Sequence, residues 1–599
     1  MAPRPPLSPF RLGSAALLPA LMLAACAAGT PDQPDQRDTP AQVALDGRPG
    51  LSQMTHAAPL ASGSLAGAFL AGRQAQFEGD PEAAASHFAE AARLAPEALA
   101  LKRRAAFFLT TAGRFPEAVP LAREVMAADH DEASLSRLMV ATDQAARGDF
   151  PGALATLAEA SSEGGLNQLL IPLVRAWLMV GDGRPAEALE VVVPLAEAEE
   201  PFARLFAFHG GLIAAQAGQR ATAAELFGRL TEVPEELPLR TVEAIAAFRL
   251  ADPDSAPAGR DLIATYLKAH GESRLAADLL EPMRLAPVAP PPPITSAADG
   301  LAEAFHGTAS NMAQSQALDT ALLFIHLALA VKPEFDYALI LKGDLASRQR
   351  RPVAAVAAYR AVPADSAFTY LARQRAADSL GRAERLEEAR EAFESLAADW
   401  PERPEPLIDL GDLLRQNERF AEAVEAYDRA FARLDQVLPR HWSWLYGRGI
   451  ALERSGQWPR AEDDFRQALA LEPDQPFVLN YLGYSWLDQG MHVETAKDMI
   501  QRAVAQRPRD GYIVDSMGWA EYLTGNHEAA VEHLERAVSL TPNDPTINDH
   551  LGDAYWRVGR RLEAGYQWQR ALSFDPDPEL ADTIRAKLDD GLDDAPSTN

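Results

Sequence analysis

Small residues recur on a fixed phase near the end of this chain, with bulky apolar residues between them. Gly518, Gly525, Ala530, Ala537 and Pro542 return 34 residues later as Gly552, Gly559, Ala564, Ala571 and Pro576. A period of that length predicts a unit of two antiparallel helices. A glycine inside a helix costs about 1 kcal/mol relative to alanine, so Gly518 and Gly552 predict that the second helix lies too close for a side chain. Gly525 and Gly559 stand where the chain leaves the first helix and needs a left-handed residue. The alanines admit the second helix, Leu534 and Trp568 supply bulk, and the prolines end the unit. Such a unit cannot bury its apolar face alone, so it is built to stack.

The same phase extends toward the N-terminus. Gly79, Ala84, Phe88, Ala91 and Pro96 keep the spacings, which places a first unit from about residue 66. Gly113 with Ala118, Gly148 with Ala153, Gly183 with Ala188 and Gly218 with Ala223 keep the step from turn to helix, but the prolines fade. Helix pairs are predicted there without boundaries. Pro287 and the run Pro290 to Pro293 cannot lie inside a helix, and they predict a semi-rigid break between two halves. Beyond it Gly343, Gly411, Gly449 and Gly483 announce units with Ala355, Ala423, Ala461 and Ala496, with one extra residue between Gly490 and Ala496. Pro578 to Leu588 reads as a last helix with charges on its outward face, a solvating cap. The expected organisation is a signal peptide (1–25), a tether (26–63), an N-terminal helical array (64–285), a proline-rich break (286–295), a C-terminal array with its capping helix (296–590) and a disordered tail (591–599).

This period and its Gly/Ala/Pro phases resemble the tetratricopeptide repeat. The resemblance implies an all-α fold, an α-solenoid wound as a right-handed superhelix in two halves, with first helices lining the concave side. In that family the residues one and four after the helix glycine, and three or six before it, point into the groove. Carried over, those offsets give Phe477, Asn480, Tyr484, Tyr512, Asp515, Trp519, Tyr522, Asp549, Asp553 and Trp556 as the partner-binding groove. Aromatics interleaved with polar groups suit an extended peptide or a partner's surface. An aromatic on a helix is also an ordinary core residue, so Trp519 has a second reading, packed between repeats. The carboxylate-clamp subtype carries lysine and asparagine where this chain has Asp515 and Asp549, which disfavours a partner ending in acidic residues.

Composition narrows the function classes. At 599 residues and 47% hydrophobic, the length alone would suggest about four domains, a prior that a repeat array overrides. The formal net charge of -29 argues against nucleic acid as a partner. One cysteine leaves no intrachain disulfide and no Cys-based zinc site. Arg4 and Arg11 mark a positive start, Ala15 to Ala25 is almost wholly apolar, and Leu23-Ala24-Ala25-Cys26 closes it, as in a secretory signal. The run is too short to span a bilayer stably. Its ending resembles the bacterial lipobox, which implies that Cys26 is acylated. Ala27 rather than aspartate follows, favouring the outer membrane, with the protein facing the periplasm. Residues 27–63 are polar and proline-bearing, a tether reaching roughly 35 Å.

Candidate chemistry is sparse. No GxxxxGK, HExxH, GxSxG or strand-borne GxGxxG occurs. His527 and His533, six apart, would face different sides of a helix. No catalytic residue, cofactor or metal is expected. Gly511 to Trp519, Leu551 to Trp556 and Trp568 to Leu572 resemble the terminal repeats of long proteobacterial tetratricopeptide lipoproteins. Some of these are outer-membrane adaptors that deliver cell-wall hydrolases to a periplasmic C-terminal processing protease. The resemblance implies a non-catalytic protein-binding adaptor whose partners are such a protease and its substrates. A scaffold for polysaccharide export or outer-membrane assembly would carry the same anchor and array. An enzyme would need a catalytic constellation that motifs do not reveal.

Overall fold

A glycine on the first helix facing a bulky residue of the second is the joint from which each unit is made. In the computed structural model, Gly72 meets Phe88, Gly211 meets Phe227, Gly343 meets Tyr359, Gly411 meets Tyr427, Gly449 meets Phe465, Gly518 meets Leu534 and Gly552 meets Trp568. Each partner lies 16 positions later, and a methyl group at any of these glycines would overlap it. The described residues are 63–128, 133–160, 165–198, 202–271 and 273–592. The expected signal sequence with Cys26, the expected tether up to residue 62 and the expected tail from 593 lie outside them. Among the described residues the protein is all-α, with thirty α-helices and no strand, and it has the α-solenoid fold of tetratricopeptide repeats.

Turns between paired helices use one left-handed residue. It is glycine at Gly79, Gly113, Gly148, Gly183, Gly218, Gly456, Gly490, Gly525 and Gly559, with φ between 66° and 82°. In four consecutive units it is instead Gln316, Arg350, Glu384 and Glu418, with φ between 56° and 64°. The extra residue after Gly490 is absorbed by a second left-handed position, His492 at φ 48°, which starts the next helix.

The described residues form two compact units, divided between Ala372 and Arg373. Their boundary is not the proline-rich stretch expected from the sequence. Residues 286–295 are indeed non-helical, but the chain beyond them remains in the first unit. The hairpin made by helices Ala297–Gln314 and Leu318–Val331 turns back against first helices of the N-terminal array, meeting Leu99–Thr111, Ser134–Ala146 and Gly165–Gly181. The cause is apolar surface on every side. Leu322, Leu323, Phe324, Ile325, Leu327 and Ala328 are all buried, which no helix at the edge of an array could achieve.

The hairpin's seat is specific. Gly300 lies against the fully buried Trp177, whose Nε1 donates to His209 Nδ1 at 3.0 Å. One turn further along the same helix, Glu303 Oε1 accepts from Arg240 Nε at 2.7 Å, while Arg240 Nη1 donates to Glu243 Oε2 at 2.7 Å and Tyr337 Oη donates to Glu243 at 2.8 Å. A guanidinium this deep is held by two carboxylates, which is the condition for burying a charge. The first unit therefore fills its own inner face.

Candidate functional site

In the second unit no such hairpin intervenes, and the first helices of successive repeats touch one another. Pro476–Asp488 meets Gly511–Leu523, which meets Pro545–Arg557, forming one inner face. The ten expected groove residues lie on these three helices but are not equally free. Tyr512 is 59% exposed and Phe477 is 36% exposed, with the Arg507 guanidinium 4.8 Å above its ring. Asn480 and Tyr484 are half-buried one turn apart. The Asn480 Oδ1 atom is buried and has no hydrogen-bond partner.

Further along, the expected groove carboxylates are occupied by the protein itself. Asp515 takes both oxygens to His550 Nδ1 at 3.1 Å. Asp549 accepts from Lys587 Nζ at 2.7 and 2.8 Å, and Asp553 accepts from the same ammonium at 2.8 Å and from Trp568 Nε1 at 2.9 Å. All three aspartates are buried. Asp549 is thus not a free groove charge. The capping helix Pro578–Asp590 does carry Glu579, Asp582, Arg585 and Asp589 outward, but it also turns Lys587 inward, because two carboxylates one helical turn apart would otherwise be buried unpaired.

Trp519 is half-buried, and two rings stack on it. The Tyr522 ring stacks on it at 4.7 Å and 8°, and His550 stacks at 4.0 Å and 15°. Because His550 belongs to the next repeat, the reading of Trp519 as a freely protruding anchor gives way to packing between repeats. Tyr522 also accepts from Arg557 Nε at 3.2 Å. Trp556 packs on Trp568 at 5.4 Å and lies beneath Gly591, at the end of the capping helix. The structure brings together Asp515, Trp519, Tyr522, Asp549 and Asp553, and it leaves Phe477, Asn480, Tyr484 and Tyr512 as the accessible part of the row. Sequence offsets missed His550 and Lys587. Lys587 was within reach of the rule, since it lies one further period of 34 beyond Asp553.

Electrostatics make this unit sensitive to pH. Burial works against a charge on His550, but Asp515, Asp549 and Asp553 outweigh it and hold the imidazole above its usual range. On helix Glu405–Gln416, burial and the neighbouring Asp378 push Asp409 up to about 7, against a hydrogen bond from Gln374. The folded state therefore keeps a proton on Asp409 that the unfolded chain releases above about 4, so stability falls as pH rises from there through 7. The His550 contribution is fully present below the unfolded value near 6.5 and is lost as pH rises through the higher folded value. These two groups thus make the second unit less stable at pH 9 than at pH 6, with His441 and His533, both lowered by burial, opposing them. His209, His306 and His326, held neutral by burial, act the other way on the first unit, so the slope is read from hydrogen exchange around Asp409 and His550. Asp409→Asn and His550→Gln should each flatten that slope, and a slope unchanged in both would contradict the arrangement.

Family models described as tetratricopeptide repeat match residues 375–436, 408–476 and 446–511, and one described as TPR repeat matches 518–559. Tetratricopeptide repeats therefore build most of the second unit. A TPR repeat-containing protein of Pseudomonas aeruginosa, PA4667, is 29% identical over 184 residues, which are 31% of this chain and 30% of that relative. The match thus spans less than a third of the relative's length. Among solved structures, the Cut9–Hcn1 hetero-tetramer of the APC/C is 15% identical, with 89% of this chain and 97% of that chain covered at a TM-score of 0.36. A tetratricopeptide repeat protein from Parabacteroides merdae is 16% identical, with 42% and 96% covered at 0.35.

Proposed function

We propose that this protein is a non-catalytic scaffold that binds an extended segment of a partner protein along the inner face of its second unit. The observation that carries the reading is the unpartnered Asn480 Oδ1, buried beside Tyr484. A buried amide oxygen without a donor costs about 1–3 kcal/mol, and turning the half-buried amide outward to a partner's backbone N–H would remove that cost. Phe477, on the same helix, and Tyr512, on the neighbouring first helix, add exposed apolar surface. The Leu-Ala-Ala-Cys26 ending supports a lipid anchor in the outer membrane, facing the periplasm. On the resemblance of the terminal repeats, the partners are a periplasmic C-terminal processing protease and the cell-wall hydrolases it degrades.

Crosslinked capture from detergent-solubilised membranes tests this, with wild type, Cys26→Ser and Asn480→Leu side by side. Wild type should retain a protease and a hydrolase, and Cys26→Ser should leave the membrane fraction or keep an uncleaved signal. Asn480→Leu should fold normally and weaken retention at least about tenfold, the loss of one to two buried hydrogen bonds. An export porin in place of a protease would overturn the adaptor reading. Undiminished retention by Asn480→Leu would move the site elsewhere.

A further inference from the structure

The two ends of the described chain differ in a way that repeat arrays rarely tolerate. A terminal repeat needs a polar outer face for solubility, and the capping helix Pro578–Asp590 supplies one. The first helix, Leu65–Phe77, does not. Its buried side is Ala68, Gly72 and Ala75. On the opposite side Ala66, Leu70, Arg73 and Phe77 fall at i, i+4, i+7 and i+11, one stripe of a helix. Leu70 is 59% exposed and Phe77 is 88% exposed. The helix contains no acidic residue in a chain whose net charge is -29. No helix among the described residues is long and apolar enough to cross a membrane.

We propose that this outer face rests on the surface of the bilayer that holds the lipid anchor, with Leu70 and Phe77 entering the boundary between headgroups and acyl chains and Arg73 at the level of the phosphates. The inference depends on the anchor proposed above and adds a second, protein-borne contact to it. Position and area favour a lipid surface over a protein. The described chain begins at this helix, and a segment of 36 residues separates Cys26 from Gly63. Even fully extended, at about 3.3–3.6 Å per residue, that segment keeps the helix within roughly 130 Å of the anchor, so docking is intramolecular. Two apolar side chains on one helix fall far short of the roughly 1,200 Å² that a stable interface between two proteins needs. They suffice for an interfacial helix, where each buried side chain adds to a contact already held nearby.

The sole native cysteine makes the test clean. Gln74→Cys places a thiol beside Leu70 and Phe77 without removing either, and Asp582→Cys places one on the capping helix. Each full-length acylated chain is labelled with the fluorophore NBD and reconstituted in vesicles of phosphatidylethanolamine and phosphatidylglycerol. The label at 74 should shift to the blue and be quenched by lipid-borne nitroxide, and the label at 582 should do neither. Adding Leu70→Ser and Phe77→Ser should lower docking about 100-fold, each side chain contributing about tenfold or more. A label at 74 as open to aqueous iodide as that at 582 overturns the proposal. So does a blue shift without lipid, whether concentration-dependent, as for a second copy, or constant, as for cover by the chain's own N-terminal segment. If unmutated protein itself takes the label, Cys26 is a free thiol and the anchor reading has failed. Docking is then read separately by adding labelled Gln74→Cys in a Cys26→Ser background to the vesicles, where a shift upholds the surface and its absence overturns it.

Discussion

Asp549→Lys should unfold the last repeats of the second unit rather than merely change a surface charge. Asp549 is 4% exposed and takes two hydrogen bonds from Lys587, whose side chain is 13% exposed and also serves Asp553. Removing one partner of a buried ion pair costs about 3–5 kcal/mol, because the other charge is left without compensation. A second ammonium in the same place adds repulsion to that loss. For a unit of this size, 4 kcal/mol corresponds to a fall in Tm of roughly 10 °C. Hydrogen exchange should rise first across residues 545–590. Exchanging the pair, with Lys587→Asp in the same chain, should recover part of the loss, since the attraction is restored while the geometry is not. A single variant that melts within a degree of wild type would show that the ion pair does not form in solution.

The same cluster shows which parts of the molecule could be read from residues alone. Paired helices were legible because glycine, alanine and a bulky residue must meet at fixed places, as Gly552 meets Trp568. The groove rule located Asp515, Trp519, Asp549 and Asp553 on one face but could not tell an open carboxylate from one already paired. That distinction depends on the helix one repeat further on, which contributes His550 to Asp515 and Lys587 to Asp549. Among the central units, those at 297–331 and 369–399 were obscure for a local reason. Gln316, Arg350, Glu384 and Glu418 hold the left-handed turn that glycine marks elsewhere, so the punctuation disappears where the fold continues.

The placement of residues 297–331 was hidden for a different reason, although a signal existed. From Leu318 to Val331 only Asp319, Thr320 and His326 are polar, and a helix apolar all round is a buried one. A regular repeat offers no place for such a helix except its own inner face. The proline-rich stretch before it therefore acts as the connection that returns the chain to that face, rather than as a hinge between halves.

Gly300→Ala should destabilise the first unit by at least about 3 kcal/mol, at the upper end of the cost of overpacking. A Cβ there would overlap the indole carbons of Trp177, and the indole cannot retreat, being fully buried and hydrogen-bonded to His209. The same substitution seven residues along the same helix should do the opposite. A Cβ at Gly307 would meet only Leu205 Cδ1, at 3.9 Å, which is ordinary contact, so Gly307→Ala gains the helix preference of alanine, about 1 kcal/mol. Opposite signs for one substitution on one helix are hard to obtain unless the helix is seated as described. Thermal unfolding gives the signs, and hydrogen exchange over residues 297–331 together with a red shift of Trp177 emission locates the damage. If both variants gain stability, the hairpin is not lodged against Trp177. The inner face of the first unit would then stand open, and partner binding would have to be sought there as well as along Asn480 and Tyr512.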